Sequence, residues 1–140
     1  MINLLIKVFV CLCFLQIANS CREEIITPDN FVDRINDPVQ VREFNSYIFI
    51  LNAENFSMNL NIPSLFSSLR TRFSIKLVDY KSGYASISAQ DYNSIERFRY
   101  FIADEIAYDT ELLDGFVPEN IKIRTENLSG KIKIEFRKTL

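Results

Sequence analysis

The sequence predicts an all-β domain, a single antiparallel sandwich of two sheets of immunoglobulin-like or jelly-roll type, set behind an apolar leader. Three observations predict it. Several segments alternate apolar and polar residues with a period of two, the spacing that puts every second side chain of a strand on one face. Turn-forming residues separate these segments, and no long amphipathic helix interrupts them. Of the 140 residues 48% are hydrophobic, with twelve Phe and six Tyr. That supplies one core for a domain of about a hundred residues burying roughly two-thirds of its surface.

The first segment, residues 1–20, has the plan of a secretory signal peptide: "MINLLIK" with the single base Lys7, the apolar run "VFVCLCFLQIA", then the small residues Asn19 and Ser20 before Cys21. Residues 4–18 are interrupted by Lys7 and Gln16 and fall short of the roughly 20 apolar residues that span a bilayer. "IANSC" resembles the lipobox of bacterial lipoproteins, with Ala18 where that motif usually has leucine and Asn19 unusual at the next position. The resemblance implies that Cys21 is the lipidation site, diacylated on sulfur and left as the acylated N-terminus after cleavage. It implies a membrane partner reached through lipid, and an outer-membrane location on the cell surface or the periplasmic face. Arg22 is not the aspartate that retains such proteins at the inner membrane, and "REE" at 22–24 resembles a surface-export signal.

Cysteine usage agrees with this. Cys11 and Cys13 would leave with the leader, so Cys21 alone remains and no intramolecular disulfide can form. The exported domain must then be held by its core. Each acyl methylene buried in the bilayer contributes about 0.8 kcal/mol, and two or more chains anchor firmly where one is marginal.

Residues 21–37 read as a tether, with Pro28, the turn pairs "PDN" and "NDP", and little periodicity. Its apolar residues Ile25, Ile26, Phe31, Val32 and Ile35 are enough for part of it to pack on the domain as a first strand. Residues 38–140 carry the sandwich. In "SYIFILNAENFSMNLNI" residues 47–51 are apolar on both faces, which predicts a strand covered on both sides, and alternation follows through Phe56, Met58 and Leu60. "RFSIKLVDYKSGYASISAQD" predicts a hairpin, with Phe73, Ile75 and Leu77 facing Ala85, Ile87 and Ala89 across a turn at Gly83. "NIKIRTENLSGKIKIEF" predicts a second, Ile121 and Ile123 against Ile132, Ile134 and Phe136, with the turn at Asn127, Ser129 and Gly130. Residues 94–108 fit helical spacing (Ile95, Phe98, Ile102, Ile106) and strand alternation (Phe98, Tyr100, Ile102). Strand is favoured by the Tyr, Phe and Ile content. Residues 110–115 predict one short helical turn stopped by Gly115.

Composition excludes several chemistries. With no histidine, the Ser-His-Asp and Cys-His systems and nearly all zinc sites are absent. The three glycines stand apart at 83, 115 and 130, so there is no phosphate loop, and no cofactor is expected. A net charge of -2 offers no basic face for nucleic acid. The chain is therefore expected not to be an enzyme. Asp104, Glu105, Asp109, Glu111 and Asp114 are calcium candidates by oxygen content. Leu113 breaks the EF-hand spacing, and solvated charges explain the loop more simply. Tyr80, Tyr84, Tyr92, Tyr100 and Tyr108 are candidates for stacking on a glycan or anchoring a protein. Two functions follow: a non-catalytic module that binds a protein or glycan ligand, or a structural accessory subunit of an outer-membrane or secretion assembly. An aromatic or acidic site would mark the first, and a flat apolar patch or free strand edge the second.

Overall fold

The computed structural model describes residues 34–139. The leader, Cys21 and all but the last residues of the tether lie outside them. Six strands follow in order: β1 (Val39–Glu43), β2 (Ser46–Pro63), β3 (Arg70–Gln90), β4 (Glu96–Ile102), β5 (Ile106–Asp114) and β6 (Asn120–Lys138). All pairings between them are antiparallel, in the order β1-β2-β6-β3-β4, with β5 lying on the part of β3 that β4 leaves uncovered. The all-β antiparallel class is as expected, but the two layers are halves of one sheet instead of two separate sheets.

The reason lies in three very long strands. β2, β3 and β6 run for 18, 21 and 19 residues, and all three are irregular at the same level. Register shifts fall between Ala53 and Met58 on β2 and between Val78 and Tyr84 on β3, opposite residues 125–131 of β6. Asn55, Asp79, Gly83 and Asn127 take positive φ there, at 47°, 54°, 83° and 48°. Extra residues in a ladder bend the strand and sharpen its twist. Each long strand thus passes from a first layer (β1, residues 46–53, 130–137 and 70–78, and β5) into a second (residues 56–63, 120–128 and 82–90, and β4).

The irregularity also rephases the side chains. Along β2 the core positions are Tyr47, Phe49, Leu51 and Ala53, then Phe56, Met58, Leu60 and Ile62. On β6 they are Ile121 and Ile123, then Leu128, Ile132, Ile134 and Phe136. On β2 and β6 the irregularity changes which parity faces inward, whereas β3 keeps its own, with Phe73, Ile75 and Leu77 followed by Ala85, Ile87 and Ala89, so both halves bury their apolar set. The layers meet on Phe73. Its ring lies 4.8 Å from Phe98, 5.1 Å from Tyr100 and 5.2 Å from Phe136.

Both expected hairpins are therefore corrected. Residues 73–89 and 121–136 are single strands, because each half of β3 pairs with a half of β6 and not with its own continuation: Phe73 stands opposite Phe136, and Ile87 opposite Ile123. The turn chemistry makes a bend. The facing of the residues is as expected, since Phe73, Ile75, Leu77, Ala85, Ile87 and Ala89 are all core. Within residues 94–108 the strand reading holds for β4 and the start of β5, and no helix forms there. The helical turn at 110–115 is replaced by the end of β5, which pairs with residues 70–77 of β3. Pairing with an available edge outweighs a weak local preference. Residues 47–51 are buried on both faces: Ile48 and Ile50 lie opposite the core yet are 8% and 2% exposed. At the tether's end Ile35 bridges Asn52, and the Asn36 side chain accepts from Glu54 N–H at 2.8 Å, tying the chain to β2.

Gly83 tests the bend. A Cβ there would overlap the backbone carbonyl of Asn127, whereas at Gly115, whose φ is 84°, it would meet nothing. Gly83→Ala is expected to lower unfolding free energy in urea by at least about 2 kcal/mol, and Gly115→Ala by only about 1 kcal/mol, the cost of positive φ. Equal losses would mean the bend does not require this contact. Thr71 is fully buried, and among the described residues its hydroxyl has no partner. Thr71→Val should raise stability by about 1 kcal/mol, since it removes an unpaired polar group at nearly constant volume.

Candidate binding face

Because the core takes one side of each strand, the outer side of the second layer is free to carry other chemistry. Its side chains stand in cross-strand rows. Asn59, Arg124, Ser86 and Phe101 form one row; Asn61, Lys122, Ser88 and Arg99 form the next, one pleat repeat along. Glu126 and Tyr84 stand beyond the first row. Phe98, Tyr100 and Ile102 already fill the inner side of β4, so alternation forces Phe101 outward, 60% exposed. Its ring lies 5.2 Å from that of Tyr84 at 33°. The result is an aromatic pair in an otherwise polar face.

The polar groups around it are held in place. The Tyr84 hydroxyl donates to the Glu126 carboxylate, which also accepts from Arg124 Nη2 at 2.9 Å. These bonds hold the Glu126 carboxyl below its usual range, Tyr84 contributing most, and push the Tyr84 hydroxyl up in return. Arg99 grips Glu96 with two parallel hydrogen bonds of 2.8 and 2.9 Å and lowers its pKa, with a smaller contribution from the charge of Lys122. At the end of the face Asp91 organises the β3–β4 loop. Its carboxylate accepts from the N–H of Asn93 and Ile95 and from Arg97 Nε at 2.7 Å, and its pKa is lowered chiefly by Arg97.

The five tyrosines singled out by sequence do not converge. Only Tyr84 belongs to this face. Tyr80 packs against the core at the bend, its hydroxyl donating to the Gly83 carbonyl at 3.0 Å. Tyr100 points inward from β4, and its hydroxyl donates to Asp109 of β5, which fastens the two layers at their open edge. Tyr108 sits on β5 and donates to Ser74 Oγ at 3.3 Å. Tyr92, 81% exposed, stands in the β3–β4 loop. Phe101 was not singled out, although once residues 94–108 are taken as strand its outward facing follows from the inward set Phe98, Tyr100 and Ile102.

The acidic residues are spread out as well. Asp104 and Glu105 lie between β4 and β5. Asp109 accepts from Tyr100 and from Thr110 N–H, and Asp114 accepts from Gly115 N–H and lies 4.0 Å from Arg70. Among the described residues no three such groups are close enough to hold a metal ion. A groove of about 510 Å³ lies at the bend, and its charged lining balances, Glu54 and Asp79 against Lys81 and Lys131, with Asp79 and Lys131 paired at 2.8 Å.

No protein family matches the chain, and no curated protein does. Among solved structures it is similar to a family 29 carbohydrate-binding module in two mutant forms. One shares 17% identity over 73% of this chain and 76% of that one with a TM-score of 0.41; the other shares 16% over 71% and 74% with a TM-score of 0.40. Among the described residues no helix is long and apolar enough to cross a membrane.

Burial first, and then Asp109, push the Tyr100 hydroxyl up to about 12. A folded pKa above the unfolded value of about 10 means that its contribution to stability is intact below pH 10 and is lost as pH rises toward 12. Burial also pushes the Tyr47 hydroxyl up, and Glu126 pushes up that of Tyr84, so alkaline titration followed by phenolate absorbance should show a group of late tyrosines from which Tyr100→Phe removes one tyrosine's amplitude. An unchanged late amplitude after the substitution would contradict the assignment.

Proposed function

We propose that the chain is a lipid-anchored, non-catalytic binding module of the bacterial cell envelope, held at the outer membrane through Cys21, and that the face around Tyr84 and Phe101 receives a glycan. The observation that carries the reading is the aromatic pair exposed within a polar sheet face. The core has no need of Phe101, and an exposed phenyl ring is tolerated best where a ligand covers it. A sugar presents an apolar C–H face to such a ring and hydroxyls to the amides and charges around it, here Asn59, Asn61, Arg124 and Glu126. Rigid strands place these groups, so little ordering is needed on binding. Anchor and face are separate: Cys21 lies in the leader-proximal segment, and the sheet needs no lipid to close its core.

A second reading, the accessory subunit, draws on a different surface. Phe44, Leu65 and Leu69 are 73%, 50% and 59% exposed, and their loops are joined through Asn45, whose N–H donates to the Leu65 carbonyl and whose side chain accepts from Ser67 N–H. That patch suits a protein contact.

Phe101→Ala should weaken glycan binding by roughly tenfold or more while moving the unfolding midpoint little, because the ring is outside the core. A glycan array probed with both proteins measures this, and unchanged binding would remove the face from the proposal. For the anchor, growth with clickable palmitate should label the mature chain and not Cys21→Ala. A mature protein that is unlabelled, or that begins at another residue, would overturn the lipid attachment.

A further inference from the structure

We infer that the ligand of this face is an acidic polysaccharide, one carrying carboxylates on its sugars, and that Lys122 reads the charge. The inference rests on the glycan-binding reading above and adds the ligand's chemical class.

Besides Arg97, which Asp91 holds at the end of the face, the face carries three cations, Arg99, Lys122 and Arg124, and two anions, Glu96 and Glu126. The anions are spent internally. Glu96 is occupied by both nitrogens of the Arg99 fork, and Glu126 by Tyr84 and Arg124. Lys122 differs from the two arginines. It stands between Asn61 and Ser88 in the middle of its row, half-buried, and among the described residues its ammonium makes no ion pair or hydrogen bond. The charge excess at the centre of the face is positive.

The spacing suits a chain of sugars. Phe101 and Arg124 both lie opposite Ser86, so two strand spacings separate them, about 10 Å. Lys122 and Arg99 both lie opposite Ser88, one pleat repeat of about 7 Å further along. A ring stacked on Phe101 therefore places the next sugars over Arg99 and Lys122, where the acid that feels the ammonium's charge, Glu96, is already held by both nitrogens of Arg99. A neutral sugar offers that position only hydroxyl hydrogen bonds, which a glutamine can also make. The contact is exposed, so it is screened by salt.

The test uses the detergent-solubilised full chain and two probes, polygalacturonate and a neutral glucomannan, followed by titration calorimetry at about 50 mM and about 500 mM salt. Polygalacturonate is expected to bind roughly tenfold more tightly at low salt, with the preference shrinking at high salt. Lys122→Gln should remove that preference and leave the glucomannan affinity and the melting temperature unchanged. Equal affinity for the two polymers, or a preference that survives Lys122→Gln, would overturn the acidic-ligand inference and leave the glycan-binding reading standing. Binding of neither polymer, with the melting temperature normal, would overturn both.

Discussion

Three strands that bend at one level are the constraint on which everything else in this domain depends. β2, β3 and β6 are each long enough to cross the molecule twice, and each carries its irregularity where its neighbours carry theirs. A bend in one strand alone would break its ladder against straight partners. Because Asn55, Asp79, Gly83 and Asn127 all take positive φ in that zone, the three fold over together and the hydrogen bonding continues on both sides. Asparagine, aspartate and glycine bear that backbone with the least strain.

Once folded, the sheet is held closed by side chains. Cysteine occurs only at positions 11, 13 and 21, so no disulfide can staple the described residues. Closure rests on apolar burial centred on Phe73, whose ring joins Phe98 and Tyr100 of the second layer to Phe136 of the first. Burying such a side chain contributes about 1.5–3 kcal/mol. Tyr100 adds a polar fastening: its ring is in this cluster and its hydroxyl reaches Asp109 on β5. The edge between β4 and β5, the one place where the layers are not joined by a continuous strand on β3's outer side, is closed by that contact.

The same arrangement leaves the outer side of the second layer unburdened by core packing. Alternation that drives Phe98, Tyr100 and Ile102 inward drives Arg97, Arg99 and Phe101 outward, and the partner strands line up Ser86, Ser88, Lys122 and Arg124 beside them. Apart from Lys122, the charges there are paired across short distances, so side chains are oriented before any ligand arrives. Recognition by this face and attachment through Cys21 would place the two tasks in different segments, which suits a module that must be both anchored and accessible.

By itself the sequence determined the class of fold and which residues are core. Period-two alternation and the both-sided burial of residues 47–51 depend only on strand geometry, which is local, and the structure keeps them. The absence of histidine likewise excludes a Ser-His-Asp or Cys-His site built from these residues. Tertiary structure alone decided what the turn residues do. Asp79 to Gly83 and Asn127 to Gly130 have the chemistry of hairpin turns, but whether such a stretch reverses a strand or merely bends it depends on which partner the flanking halves find. β3 and β6 find each other along their whole length. The site followed the same division: Phe101's outward facing was legible once β4 was read as a strand, whereas the scattering of Tyr80, Tyr92, Tyr100 and Tyr108, and the meeting of Tyr84 with Phe101, were not. Facing is a property of one strand, and proximity between strands is created only by register.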